Sequence, residues 1–209
     1  MDNLYWTEYY KRTDLDNSPS NFAKFCLREY LIANNTLLEL GCGNGRDSIF
    51  FASNEISVDA IDQCELEINK LSQNNILKNL KFITMDFTNL KNDNFYNAVY
   101  SRFTIHAVTE HEENRVIKWC SEHIKAGGYF FIEVRGKENE LFGKGEPVQN
   151  CKDSFIFDGH FRRFIDLEII KNKLIRHRFK IKFAAEDFGF APFNGIDEKF
   201  IRIVAKRLY

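Results

Sequence analysis

Leu37-Leu38-Glu39-Leu40-Gly41-Cys42-Gly43-Asn44-Gly45-Arg46-Asp47 decides the fold of this 209-residue chain. A short apolar strand-like run, Thr36–Leu40, passes into a segment of helical periodicity near 46–53 through three glycines at alternate positions. Such a turn lets backbone approach a ligand without interference from Cβ atoms, and it leaves N–H groups at the helix start facing that ligand. A plain tight turn needs no more than this, so the context carries the argument. Asp62 closes the next strand-like run 21 positions after Gly41, the distance at which a ribose diol sits.

Outward from this stretch the same rhythm repeats. Thr36–Leu40, Ile56–Ile61, Leu80–Met85, Asn97–Ser101 and Tyr129–Val134 read as buried strands, because apolar and β-branched residues dominate and loop residues bound them. Periodic segments near 46–53, 64–73 and 111–125 lie between them. Strand, helix, strand in this order predicts βαβ units and a mostly parallel sheet covered by helices on both faces. Ahead of it, Ser18-Pro19 predicts a helix N-cap followed by Phe22, Phe25, Cys26 and Tyr30 at helical spacing. After Gly136 the pattern changes to a polar stretch up to about 154, an aromatic segment Phe155–Phe164, a helix near 165–176, and strand-like runs around 179–188 and 199–206 that can pair antiparallel at the sheet edge.

The glycine spacing separates candidate ligands. A dinucleotide fingerprint needs a small residue at position 46, which is Arg, and no Gly-Lys-Ser/Thr of a Walker A loop occurs anywhere. Glu39-Leu-Gly41-Cys-Gly43-Asn-Gly45 resembles the first motif of class I S-adenosylmethionine (SAM) dependent methyltransferases. The resemblance continues with Asp62 after the second strand, Asp86-Phe87 after the third, Ser101-Arg102 after the fourth, and Gly127-Gly128 before the fifth. It implies an α/β, Rossmann-like, doubly wound sheet of seven strands, mostly parallel with an antiparallel edge strand. It also implies SAM as cofactor and S-adenosylhomocysteine as product.

On that resemblance Gly41, Gly43 and Gly45 cradle the cofactor and Asp62 accepts hydrogen bonds from the ribose hydroxyls. Asp86 either receives the adenine amino group or caps a turn, Phe87 stacks on the base, and Ser101 and Arg102 flank the methionine part. Glu39 either organises the loop or meets the ammonium group through water. The chain lacks the Asp/Asn-Pro-Pro-aromatic motif of amino-methylating DNA enzymes and the Pro-Cys of cytosine-C5 enzymes, so a DNA acceptor is not expected.

Basic residues placed after the strands point to an anionic small-molecule acceptor: Arg102 and His106 after the fourth, Arg135 after the fifth, and His160, Arg162 and Arg163 in the aromatic segment. His106 is either a general base, with Arg102 as the other catalytic candidate, or a helix-face residue. Tyr5-Trp6-Thr7-Glu8-Tyr9-Tyr10, Ser18-Pro19-Ser20-x-Phe22-Ala23, Ser101–Val108 and His160–Ile165 resemble small bacterial methyltransferases found with surface-polysaccharide biosynthesis. That implies O-methylation of a phosphate or phosphoramidate oxygen of a capsule precursor, with Tyr9 among the acceptor-binding residues. The implied organisation is one domain, with a helical lid region over 1–35, a SAM-binding core over 36–135, an acceptor-side insertion over 136–165 and a C-terminal helix with edge strands over 166–209. An RNA or protein methyltransferase, or a non-catalytic SAM-binding partner, stands as the alternative.

Composition bounds these readings. Lys and Arg total 29 against 30 for Asp and Glu, so the net charge of −1 creates no general attraction to nucleic acid or anionic lipid. The balance is uneven, with 13 basic and 8 acidic residues after position 150 against 16 and 22 before it. No run approaches the roughly 20 apolar residues of a membrane span, and Met1-Asp2-Asn3-Leu4 lacks a secretory pattern, so a cytoplasmic protein is expected. Five scattered cysteines with no C-x-x-C pair predict buried free thiols, and no ligand spacing predicts a metal. Oligomeric state is not readable from the chain.

Overall fold

A computed structural model describes residues 16–91 and 93–209. Strand β1 (Thr36–Leu40) lies between β2 (Ser57–Asp62) and β4 (Tyr96–Arg102), parallel to both. β3 (Leu80–Thr84) extends the sheet beyond β2, and β5 (Ile124–Val134) extends it beyond β4. The C-terminal strands β9 (Phe179–Asp187) and β10 (Phe200–Arg207) complete seven strands in the order β3-β2-β1-β4-β5-β10-β9. β10 runs antiparallel to both neighbours, so the antiparallel strand sits one place in from the edge.

Alternation along each strand divides the core in two. Leu38 and Leu40 of β1 face Val116, Ile117 and Cys120 of α4 (Glu110–His123) and Ile170 and Leu174 of α5 (Leu167–Arg176). Leu37, one position out of phase, joins Phe22 and Cys26 of α1 (Asn21–Tyr30), Phe51 of α2 (Arg46–Ser53) and Ile68 of α3 (Glu65–Asn74) on the other face. Helices on both faces make the doubly wound architecture and explain why β1 is buried on both faces, with leucines at 37, 38 and 40, rather than alternating apolar and polar. Strand order reverses between β1 and β4, and in open α/β sheets this point opens a crevice at the carboxyl ends of the strands.

Three local expectations are corrected. The cap of α1 is Ser20, not Ser18: Ser20 Oγ accepts from Ala23 N at 3.0 Å, whereas Ser18 N donates to Asp16 Oδ1. α4 stops at His123, because β5 starts at Ile124, and the Gly127-Gly128 pair lies inside that strand. The 136–165 region carries its own sheet of β6 (Glu146–Pro147), β7 (Ser154–Phe157) and β8 (His160–Arg163), clasped by edge-to-face packing of Phe142, Phe155 and Phe164. Four of the five thiols are buried, Cys151 is half-buried, and all are free. Among the described residues no helix is long and apolar enough to cross a membrane.

Candidate active site

The three glycines after β1 all have positive φ, +67° at Gly41, +55° at Gly43 and +73° at Gly45, so the turn is built from left-handed residues that only glycine adopts cheaply. Gly41 also packs tightly: a Cβ there would fall 2.4 Å from Thr104 Cγ2. Asp62 fastens the loop from the next strand, accepting Gly43 N at 3.0 Å on one oxygen and Cys64 N at 2.9 Å on the other. Burial raises the Asp62 carboxyl above its ordinary range, opposed by the N–H donors of Cys64 and Gly43. Behind the loop, buried Glu39 accepts a short hydrogen bond from Ser48 on the first turns of α2. Burial and then the Asp47 carboxylate push its carboxyl well above the usual range, with Ser48 and Arg102 opposing.

A cleft of about 770 Å³ opens at this crevice. Its floor is the glycine loop with Glu39, Asp62 and Phe87. One wall is a continuous stack: the Arg102 guanidinium lies 4.1 Å from the Phe103 ring centroid, Phe103 lies 4.9 Å from Phe200, and the Arg135 guanidinium lies 4.9 Å from Phe200. Phe103 holds this place with φ +59°, a conformation that costs a bulky residue about 1–2 kcal/mol, and its N–H is tied to Glu133 O at 2.8 Å. Both arginines have carboxylate partners, Arg102 with Glu133 and Arg135 with Glu198. Burial works against the Arg102 charge, but Glu133, then Tyr100 and Asp47, together outweigh it and the guanidinium pKa is raised.

The segment before α1 forms the opposite lip. Asp16 bridges to Arg46 at 2.8 Å, and Asn44 Nδ2 donates to Asp16 O, so the chain leading to the helix is anchored on the glycine loop and the first residue of α2. Deeper, Asp47 accepts from Ser20 N and Oγ at 2.7 Å and from the Tyr100 hydroxyl at 2.8 Å. The third side is the 188–199 loop, whose Phe193-Asn194-Gly195-Ile196 hairpin turns through positive φ at Asn194 and Gly195. A second concavity, at the amino ends of the strands, is also basic, but its Arg207 is spent on the carbonyls of Ser121 and Arg178 near the helix ends.

The expected residues divide sharply. Glu39, Gly41, Gly43, Asp62, Phe87, Arg102 and Arg135 all border the cleft, and Gly45 caps α2 just behind it. Asp86 does not line it: its carboxylate caps the 87–89 turn, accepting from Thr88 N and Oγ1. Ser101 is fully buried beneath the loop, sharing a 2.6 Å hydrogen bond with Thr104, and Thr104 reaches the cleft in its stead. His106, the base candidate, stands apart from the cleft. It is buried outside the cleft lining, and Nδ1 accepts Arg135 N at 3.1 Å. Burial, then the charge of Arg135, holds its pKa well below the histidine range.

The aromatic segment stands apart from the cleft too. Arg163 is a buried brace, bonded to Val108 O, Ile105 O and the Glu113 carboxylate, and Arg162 donates to Phe157 O within the small sheet. Neither these arginines nor His160 lines the cleft. Tyr9 lies outside the described residues. The sequence reading missed Phe103, Phe200, the Asp16–Arg46 bridge and the 188–199 loop. Only the Asn194-Gly195 pair, a hairpin signal, was available to flag that loop.

The cleft suits the proposed cofactor on its own terms. The loop is closed to any side chain at Gly41, a carboxylate waits at the end of β2, and Phe87 presents a flat apolar face. Comparison with known proteins agrees. Residues 37–128 match the family described as a methyltransferase domain. The cypemycin N-terminal methyltransferase of a Streptomyces species is 29% identical over 100 residues, 47% of this chain and 41% of that protein, so the match spans under half of this relative's length. A SAM-dependent methyltransferase from Methanosarcina mazei superposes with a TM-score of 0.74 at 19% identity, over 87% of this chain and 96% of that one. The 1,6-didemethyltoxoflavin N1-methyltransferase of Burkholderia thailandensis, with its namesake ligand and S-adenosylhomocysteine bound, gives 0.74 at 15% identity, over 100% and 86%. The fold is that of the class I methyltransferases, and residues 37–128, under half of the chain, match a methyltransferase domain.

Proposed function

We propose that the chain as a whole transfers a methyl group from SAM to a small anionic acceptor held against the Arg102–Phe103–Phe200–Arg135 wall. That stack is the observation that carries the reading: two aromatic faces flanked by two guanidinium groups suit a compact molecule with an apolar body and an oxyanion. Bound SAM supplies an electrophilic methyl group on a sulfonium. The chain's own residues orient and enclose. Asp62 takes the ribose hydroxyls, the glycine loop follows the cofactor backbone, Phe87 packs on the base, and the aromatic wall and the 188–199 loop exclude water. An oxygen already ionised needs no base, which agrees with His106 lying outside the cleft lining. O-methylation of a phosphate or phosphoramidate group on a cytoplasmic capsule precursor is the specific case we take. Within one domain, 36–135 then holds the cofactor, 16–35 forms a lip, and the acceptor side falls to Arg135 and the 188–199 loop rather than to 154–163.

A nitrogen acceptor is the second reading, favoured by the Glu198 carboxylate on the rim and by the N-methyl transfers named for the cypemycin and toxoflavin enzymes. S-adenosylhomocysteine release, followed with a ring-matched set of phosphate, phosphoramidate, carboxylate, neutral and amine acceptors, tests the two. Turnover is expected with the anions, and Arg135→Ala should raise acceptor KM by roughly 10–100-fold, the loss of a charge-assisted hydrogen bond. Turnover confined to the amines replaces the first reading with the second.

A further inference from the structure

Glu133, near the end of β5, is fully buried and is not itself a lining residue of the cleft, yet two residues of the cleft wall and one arginine behind it converge on it. One carboxylate oxygen accepts Arg102 Nε at 2.9 Å. The other accepts Arg202 Nε and Nη2 at 3.0 and 2.6 Å. Its backbone carbonyl takes the N–H of Phe103, the residue held in the left-handed region. Arg202 carries the connection further. Its Nη2 donates to Phe190 O at 3.0 Å, and its guanidinium lies 4.3 Å from the Phe190 ring and 4.9 and 5.3 Å from the rings of Phe22 and Phe25.

A buried carboxylate between two guanidiniums is a poor way to gain stability, since apolar residues of similar volume often serve as well. Its geometry does something an apolar core cannot, fixing the direction of a charged group at the surface of a cleft. We propose that Glu133 is the positioning residue of this site: it aims Arg102 and Phe103 and, through Arg202, locks them to the start of the 188–199 loop and to α1, so that wall, loop and lip hold one relative placement. The inference rests on the cofactor cleft alone, independent of the acceptor chosen above.

The test uses the full chain with S-adenosylhomocysteine as probe. In Glu133→Gln the amide keeps the shape but turns an N–H₂ toward one guanidinium, so one arginine is released. Amide hydrogen exchange over 188–199 should then speed up at least about tenfold, while exchange in β1 and β4 stays within about threefold. The Kd for S-adenosylhomocysteine should rise about tenfold or more, because Arg102 no longer faces the cleft in one orientation. Arg202→Lys, which keeps the charge but cannot reach both Glu133 and Phe190 O, should reproduce both effects from the far side of the carboxylate. It supplies the decisive measurement if Glu133→Gln does not fold. Unchanged loop exchange and unchanged Kd in a folded variant overturn the proposal. So does acceleration equal in the loop, β1 and β4, since that marks Glu133 as a stability residue only. Failure of every anionic acceptor in the turnover assay leaves these readouts untouched and bears on the acceptor alone.

Discussion

Replacing Gly41 by alanine tests the tightest point of the cofactor loop. Two costs add. At φ +67° an L-residue pays about 1–2 kcal/mol for the left-handed conformation. The new Cβ would also sit 2.4 Å from Thr104 Cγ2. That methyl cannot rotate away cheaply, because Thr104 is buried and its Oγ1 shares a 2.6 Å hydrogen bond with Ser101. Forcing a methyl group into such a contact costs about 1–3 kcal/mol, for a total of about 2–5 kcal/mol. Urea denaturation should show this loss, and calorimetry should show S-adenosylhomocysteine binding weakened about tenfold or more as the loop is displaced. The two costs can be separated by Thr104→Ser, which removes Cγ2 but keeps the hydroxyl. With only the position-104 Cβ left, at 3.6 Å, the double variant should recover the steric part and retain the conformational loss of about 1–2 kcal/mol. Thr104→Ser alone should cost about 1 kcal/mol. A Gly41→Ala protein with wild-type stability and affinity would refute the argument that the turn needs glycine, and a double variant no better than the single would refute the contact with Thr104.

Other expectations follow from the same geometry. Asp62→Asn should weaken S-adenosylhomocysteine by roughly 10–100-fold in calorimetry, with NAD giving no heat for wild type or variant. The amide forfeits the charge-assisted bonds to Gly43 N and Cys64 N, together with those to the ribose in the proposed binding mode. Arg163→Ala should lower stability by about 1–3 kcal/mol in denaturant titration, because Glu113 keeps only Lys173 as a cationic partner and the Val108 and Ile105 carbonyls lose their donor, whereas a loss confined to acceptor KM would restore Arg163 to the site. Glu39→Gln keeps an acceptor for Ser48 and removes a carboxyl whose folded pKa is raised by burial and by Asp47. Such a group binds its proton more tightly in the folded chain, so wild-type stability falls as pH climbs from the ordinary carboxyl range through the raised folded value. The variant should therefore gain Tm relative to wild type at pH 8 over pH 5, and equal slopes of Tm against pH would contradict the sign.

The sequence by itself determined the layers and the glycine-loop end of the cleft. Alternating strands and helices were legible because burial on both faces of a parallel sheet leaves short runs dominated by apolar and β-branched residues, such as Tyr129–Val134 and Ile56–Ile61. The glycine loop and Asp62 were legible because backbone conformation and a strand-end carboxylate are local properties, set within a few residues. What only the tertiary structure decided is which charges face the cleft. Arg102 and Arg163 are both arginines beside aromatic residues, and nothing adjacent in the chain separates them. Glu133, 31 positions from Arg102, turns one toward the crevice, while Glu113, 50 positions from Arg163, binds the other inside the protein. His106 is removed from the cleft lining by a backbone N–H 29 positions away, and Phe103 meets Phe200 only because β10 inserts next to β5. A side chain's availability depends on its partner and its burial, and both are fixed by contacts between residues distant in the chain, which no local pattern records.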